Sequence, residues 1–165
     1  MTFLLTLQPV EPIQKPEPGQ FFMVSIEHGL DPLLKRPFSL YRWFGQEFQI
    51  LYRVVGKATG ILKEKAPGNL LDVLGPLGNF YPMPTKNQTP LIVAGGIGIA
   101  SLFFLAEKLA KSAYVLYGAR TEHELFFINE LKEYARDLLI STDDGSNGEK
   151  GNIIDVLKKF LTHYP

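Results

Sequence analysis

Apolar positions in the first half of the chain fall into short runs at strand spacing. FLLTL (3–7), QFFMVSI (20–26), FSLYRWF (38–44), EFQILYRVV (47–55) and NLLDVLGPLG (69–78) are rich in aromatic and aliphatic residues, with Pro, Gly and Asn clusters between them. This pattern predicts an antiparallel barrel or sandwich. FGQEF (44–48) predicts a tight hairpin between the third and fourth runs. ATGILKEKA (58–66) predicts a short helix between the fourth and fifth.

YPMPTKNQTP (81–90) interrupts the pattern with prolines at 82, 84 and 90, which exclude a helix interior and a central strand. A boundary at 84/85 divides a β domain, 1–84, from a second domain, 85–165. There the rhythm changes. LIVA (91–94) suits a strand buried on both faces, and after GGIG (95–98) residues 99–111 carry helical spacing. AYVLYG (113–118) predicts a strand, and 121–137 a helix opened by a capping box of Thr121 and Glu124. LLIST (138–142) predicts a strand, 143–151 a loop, and 152–164 a helix with Asn152 as its N-cap. This βαβαβα alternation predicts a partial parallel α/β nucleotide-binding domain.

Composition narrows the function classes. The 165 residues are 45% hydrophobic and 21% charged, and 17 Lys and Arg balance 17 Asp and Glu. No net field draws the chain to nucleic acid or to an anionic membrane. No window approaches the roughly 20 apolar residues of a membrane span, and MTFLLTLQPV lacks the basic flank of a secretory signal. A cytoplasmic location is expected. There is no cysteine, so thiolate nucleophiles and Cys-ligated zinc or iron–sulfur centres are excluded within these residues.

Three segments carry candidate chemistry. The turn Gly95-Gly96-Ile97-Gly98 between a strand and a helix exposes backbone N–H groups that suit pyrophosphate, although it lacks the GxGxxG spacing. The alternative is a tight βα turn that needs glycine only for its backbone. In KRPFSLYR (35–42), Arg36 offers a bidentate fork for phosphate, Pro37 fixes the backbone, and Ser39 can hydrogen-bond a polar ring edge. Phe38 and Tyr41 add apolar surface. An edge strand with protective charges explains this segment equally well. LYRVVGKAT (51–59) supplies Tyr52 and Arg53 at a strand end and a turn from Gly56 to Thr59 that opens a helix. It is not a P-loop, since Leu51 stands where the first glycine belongs. TDDGSNG (142–148) fails as a calcium loop because Gly145 takes a ligand position. Asn87-Gln88-Thr89 matches a glycosylation acceptor without a secretory context. His28, His123 and His163 lack metal-ligand spacing and read as solvated. No catalytic acid–base or nucleophile set and no metal site emerges.

In order, RPFS, LYRVVGKAT, VLGPLGN, VAGGIGIA, LYGART and STDDGSNGEKG resemble the ferredoxin-reductase superfamily. Within it they are most similar to electron-transfer subunits of NAD-type dihydroorotate dehydrogenases. The resemblance implies a six-stranded antiparallel FAD barrel followed by a pyridine-nucleotide domain. It implies FAD contacts from Arg36 (pyrophosphate), Pro37, Phe38 and Ser39 (isoalloxazine), from Leu51, Tyr52 and Arg53, and from Ala58 and Thr59 at the phosphates. It assigns Gly95, Gly96 and Gly98 to NAD(H).

The sequence departs from that pattern. Ala58 replaces a glycine, and Ser101 stands at a usual proline. The family's first barrel strand is expected upstream of residue 1, and its Cys-Gly-Pro segment and [2Fe–2S]-ligating cysteine tail downstream of residue 165. A shortened chain is therefore expected. The implied function is electron transfer from an FMN-containing dihydroorotate-oxidising catalytic subunit, in a heterotetramer, through FAD to NAD⁺ in pyrimidine biosynthesis. The small subunit of an NADH-dependent ferredoxin:NADP⁺ oxidoreductase or of a sulfhydrogenase shares these motifs, and a catalytically incomplete FAD- or partner-binding module is a third reading. Between NAD and NADP the sequence leaves the choice open, because Arg120 and Glu122 after LYG give opposite hints.

Overall fold

The computed structural model describes residues 1–27 and 31–163. His28, and Tyr164 of the expected last helix, lie outside the described residues. The chain packs as two compact units, Met1–Tyr81 and Pro82–Pro165.

In the first unit the strands are β1 (Thr2–Leu7), β2 (Phe21–Ser25), β3 (Arg36–Ser39), β4 (Arg42–Phe44), β5 (Glu47–Arg53) and β6 (Asp72–Leu77), with helix α1 (Lys57–Lys63) after β5. Among the described residues they pair as two three-stranded sheets, β1-β5-β4 and β3-β2-β6, and not as one closed ring. Every pairing is antiparallel. Alternation fills the space between the sheets with Phe22, Val24, Phe38, Phe48 and Ile50, all buried. Phe22 stacks on Phe48 with centroids 4.1 Å apart, and truncating such a buried ring costs about 3–5 kcal/mol.

The single strand expected at 38–44 is two strands in different sheets. The Leu40 N–H donates to the Gln20 carbonyl (3.1 Å), continuing the first pairing, while the Tyr41 N–H donates to the Gln49 carbonyl (2.9 Å). One peptide step thus passes the chain between sheets. Consecutive burial of Leu40 and Tyr41 is what such a crossing requires, and it breaks the period of two.

The second unit contains β7 (Leu91–Gly95), α2 (Phe103–Leu109), β8 (Tyr114–Ala119), α3 (Ile128–Tyr134), β9 (Asp137–Thr142), β10 (Glu149–Lys150) and α4 (Ile153–His163). Its sheet has the order β10-β9-β8-β7 and is parallel throughout. The apolar β8 lies inside it, buried from Tyr114 to Gly118, as a strand covered on both faces must be. Val156 and Phe160 of α4 pack on Tyr114 and Leu116, and the Asn152 carboxamide caps α4 by accepting from the Ile154 N–H (2.8 Å).

Three expectations are corrected here. The helix expected over 99–111 begins later: Gly96–Ser101 winds as a 3-10 helix and α2 starts at Phe103. The Leu102 N–H closes onto the Ile99 carbonyl (3.0 Å), while Ser101 Oγ donates to the Gly98 carbonyl (3.0 Å). The helix expected over 121–137 is broken as well. Glu122–Glu124 is a short 3-10 helix, and Thr121 makes no side-chain cap. Glu124 pairs with Arg120 instead, and α3 starts only after Phe127, at φ 55. Finally, the loop 143–151 contains β10, whose polar residues carry no apolar period. Glu149 of β10 forms an ion pair with Lys159 of α4.

Candidate functional site

In the first unit, β3 and the end of β5 meet through the ring of Tyr52. Phe38 packs edge-on against it and Phe3 stacks on it, each with centroids 5.8 Å away. Phe38, Leu51, Tyr52 and Ala58 are all buried, so their side chains shape the core, and what they offer a ligand is backbone and support. Burial pushes the Tyr52 phenol up. Pro37 is exposed, and Arg36, Ser39, Arg53 and Thr59 are half-buried. The Arg36 Nη1 donates to the Leu34 carbonyl (2.7 Å), which fixes one edge of the guanidinium. Lys35 pairs with Asp72. Lys57 pairs with Asp31 and ties the loop before β3 to the start of α1. The sequence segments 36–39, 51–53 and 56–59 are thereby gathered in one region of this unit.

Two details bear on an anion there. Thr59 Oγ1 accepts from the Val55 and Gly56 N–H groups (3.0 and 3.2 Å) and donates to the Gly56 carbonyl (3.0 Å), so this hydroxyl is committed to holding the turn. Gly56 is extended (φ −171), a conformation any residue adopts, and a Cβ added there meets nothing within 4 Å. Neither folding nor packing therefore requires glycine at this position. Ala58 is buried with Leu62 on the inward side of α1. Its methyl, which departs from the family pattern, does not stand over the open backbone.

In the second unit, Gly95 ends β7 at φ −123 and ψ 121, again an ordinary conformation. Gly95 and Gly98 both face open space where a Cβ would stand, whereas Gly96 has φ +49 and needs glycine for its backbone. Because the first N–H groups of a 3-10 turn have no partner within it, the turn presents donors beside open glycines. Such a cradle suits pyrophosphate.

The organiser of this turn lies in the LYGART motif but is not among the site residues expected from the sequence. Tyr117 is fully buried in β8. Its hydroxyl donates to the Gly96 carbonyl (3.0 Å), lies 3.4 Å from the Glu124 carbonyl, and accepts from the Phe126 N–H (3.0 Å). One hydroxyl joins the glycine turn to the 124–126 segment. Beyond β8, Arg120 forms a two-point pair with Glu124: Nε to Oε2 is 3.1 Å, and Nη2 pairs with Oε1. This partner raises the Arg120 pKa. The acidic loop is fastened alongside. The Asp143 N–H donates to the Ala119 carbonyl (3.0 Å) and the Asp144 N–H to the Arg120 carbonyl (3.3 Å). The Glu122 N–H donates to Ser146 Oγ (2.8 Å), and Ser146 Oγ donates to Asp144 Oδ1 (2.6 Å). That bond from Ser146 lowers the Asp144 pKa. Tyr117 and Ser146 lie within the LYGART and STDDGSNGEKG motifs, but the partners that give them these roles are brought together only by the fold.

No protein-family model matches the chain. Among curated proteins, it is 40% identical over 147 residues to the dihydroorotate dehydrogenase B (NAD(+)) electron transfer subunit of Geobacillus sp. (strain WCH70), covering 85% of this chain and 57% of that protein. The Geobacillus kaustophilus subunit of the same name is 37% identical over 164 residues, 95% of this chain and 63% of that one. The chain is homologous to these electron transfer subunits. It spans 57% to 64% of the length of such relatives. Among solved structures, an NADH-dependent reduced ferredoxin-NADP oxidoreductase aligns with TM-score 0.80 and 31% identity, over 97% of this chain and 58% of that one. The flavohem-like FAD/NAD binding domain of nitric oxide dioxygenase from Vibrio cholerae aligns with TM-score 0.78 at 15% identity, over 99% of this chain and 87% of that domain, which establishes the ferredoxin-reductase-like fold alone. No described helix is long and apolar enough to cross a membrane. Among the described residues no group of three or more His, Cys, Asp or Glu is placed to hold a metal ion.

Proposed function

We propose that the chain is the flavin-binding part of an electron-transfer subunit, holding FAD on its first unit and NAD(H) on its second. Electrons would pass from a dihydroorotate-oxidising partner to NAD⁺, serving pyrimidine biosynthesis in the cytoplasm. The observation that carries this reading is that Gly56 at the start of α1, Gly95 at the end of β7 and Gly98 in the 3-10 turn face open space without a conformational or packing need. They occur in a chain 37–40% identical to dihydroorotate dehydrogenase B electron transfer subunits.

Each residue's task follows from its position. Arg36 takes the flavin pyrophosphate, and the Ser39 hydroxyl meets the polar edge of the ring. The 51–53 strand end adds backbone polar groups and the Arg53 cation. The backbone of Ala58 and Thr59 serves the phosphates, and the N–H groups of Gly95, Gly96 and Gly98 hold the dinucleotide pyrophosphate. Bound FAD supplies exchange between one- and two-electron carriers, so the protein needs no dominant acid–base residue. The partner would be an FMN-containing catalytic subunit in a heterotetramer. These 165 residues contain no cysteine, so no thiolate ligand of a [2Fe–2S] cluster is assigned to them.

The test is to purify the chain, reconstitute it with FAD, and add NADH while following the visible flavin absorbance. Binding followed by bleaching is expected, with Arg36→Ala weakening FAD retention about tenfold, as loss of a charge-assisted bidentate contact implies. A colourless protein that cannot be reconstituted sinks the reading. A bound flavin that NADH cannot reduce leaves the incomplete binding module. One observation favours a second reading: the 31% identity and TM-score of 0.80 to the NADH-dependent reduced ferredoxin-NADP oxidoreductase. Co-purification with a glutamate-synthase-like subunit, instead of a dihydroorotate-oxidising barrel, would select it.

A further inference from the structure

The amino end of the parallel sheet carries a cluster of cations that neither the flavin nor the dinucleotide reading uses. A cavity of about 550 Å³ there is lined by Lys111, Lys132, Ala135, Arg136, Asp137 and Leu138. Three elements converge on it. The turn after α2 brings Lys111, the last turn of α3 brings Lys132, and the entry to β9 brings Arg136. Backbone bonds fix two of these positions: the Lys111 N–H donates to the Tyr134 carbonyl (2.7 Å) and the Arg136 N–H to the Ala113 carbonyl (2.8 Å). The Arg136 guanidinium lies over the Tyr114 ring, 4.9 Å from its centroid, a cation–π contact that restrains its plane. β8 runs six residues, roughly 17 Å, from this end to the end where the glycine turn lies.

None of the three cations forms an ion pair among the described residues. Asp137, the one carboxylate in the lining, accepts the Leu138 N–H (2.9 Å). Three cations thus face one carboxylate, in a chain whose 17 basic and 17 acidic residues balance overall. The recess is locally positive.

Helix ends explain part of this, because α2 and α3 both finish here and cations stabilise helix C-termini. For that task the position of Lys111 is a poor choice. Its φ is 66 and that of Ala110 before it is 43, a left-handed conformation that costs a lysine and suits a glycine. The chain keeps a lysine against the preference of its backbone, at a place that lines the cavity.

We propose that Lys111, Lys132 and Arg136 form a binding site for a small, multiply charged phosphate compound, separate from the dinucleotide cradle. The Arg136 guanidinium supplies a planar bidentate contact, and the two ammonium groups supply point charges. The cavity is of the size that takes a small ligand.

The test adds inorganic pyrophosphate to the whole chain at low salt and follows its backbone N–H signals by NMR. The signals of Lys111, Lys132 and Arg136 should shift together along one binding curve that weakens as salt is added. Arg136→Gln should lower the affinity about tenfold, and Lys132→Gln about threefold. Lys111→Gly separates binding from folding: its melting temperature should hold or rise as the backbone relaxes, while affinity falls about threefold. Gly95→Ala should leave the curve unchanged. If the cations serve only the helix ends, pyrophosphate moves none of the three signals, which overturns the proposal. Unchanged affinity in both Arg136→Gln and Lys132→Gln overturns it as well, as does a curve lost in Gly95→Ala, which assigns the shifts to the glycine turn. A melting temperature that falls in Lys111→Gly with affinity unchanged returns the lysine to a structural role and removes it from the site. A phosphoserine peptide that binds more tightly than pyrophosphate overturns the small-molecule assignment.

Discussion

Gly95 and Gly118 lie side by side at the ends of two neighbouring parallel strands, and they are glycines for opposite reasons. A Cβ on Gly118 would stand 2.5 Å from Ile153 Cβ and 3.2 Å from Ser141 Oγ, so the seat of α4 on the sheet requires its absence. A Cβ on Gly95 would meet nothing within 4 Å, and its backbone is ordinary. One glycine is explained by the protein's own packing. The other is left unexplained until something from outside comes close. Gly98 and Gly56 belong with Gly95.

The comparison can be broken by moving a methyl group through both classes. Gly148→Ala should have the largest effect. Its φ is +69 and the new Cβ would collide with the Ile140 carbonyl, which no rotamer change relieves. A loss of about 3 kcal/mol is expected in denaturant melts, from the left-handed conformation together with overpacking. Gly118→Ala should cost about 2 kcal/mol by the same assay, because Ile153 can yield only by shifting α4. A neutral result at Gly118 would remove the closed class. Gly56→Ala carries the test to the first unit. Its melt should hold or rise slightly, since an alanine compatible with the backbone restricts the unfolded chain, while FAD affinity falls about fivefold as the methyl enters the approach of the phosphates.

The smallest effect concerns the loop that closes the nucleotide end. Ser146→Ala should return the lowered Asp144 pKa toward the ordinary carboxylate range, as read by NMR titration, because the Ser146 bonds are its leading cause. The sign follows from the lowered folded value. The contribution of Asp144 to stability is present above the ordinary carboxylate range and is lost as the pH falls from there through the lowered folded value. An unchanged Asp144 titration in Ser146→Ala would mean that the latch is not what holds this carboxylate.

These contrasts also mark what could be read from the sequence. The strand–glycine–helix rhythm of 91–111 was legible because an apolar run followed by Gly95-Gly96-Ile97-Gly98 has few other local solutions. The reason Gly118 is glycine was not, since its neighbour Ile153 is far along the chain and only the fold brings the two together. The capping box at Thr121 and Glu124 misled for a related reason. The Glu124 carboxylate has a stronger partner in Arg120, and the Tyr117 hydroxyl holds the 124–126 backbone out of a helix. In 38–44 the apolar run is continuous across the step between sheets, and only the back-to-back burial of Leu40 and Tyr41 reveals the crossing. The gathering of 36–39, 51–53 and 56–59 was implied by the family resemblance. The structure adds which of those residues are core, Phe38, Leu51, Tyr52 and Ala58.

The most direct test of the cradle is Gly95→Ala, melted and then titrated calorimetrically with NADH. An unchanged or slightly higher melting temperature with nucleotide affinity about tenfold lower is expected, because the methyl enters only the space a ligand would use. Unchanged affinity at unchanged stability would contradict the claim that this open glycine is there for a dinucleotide.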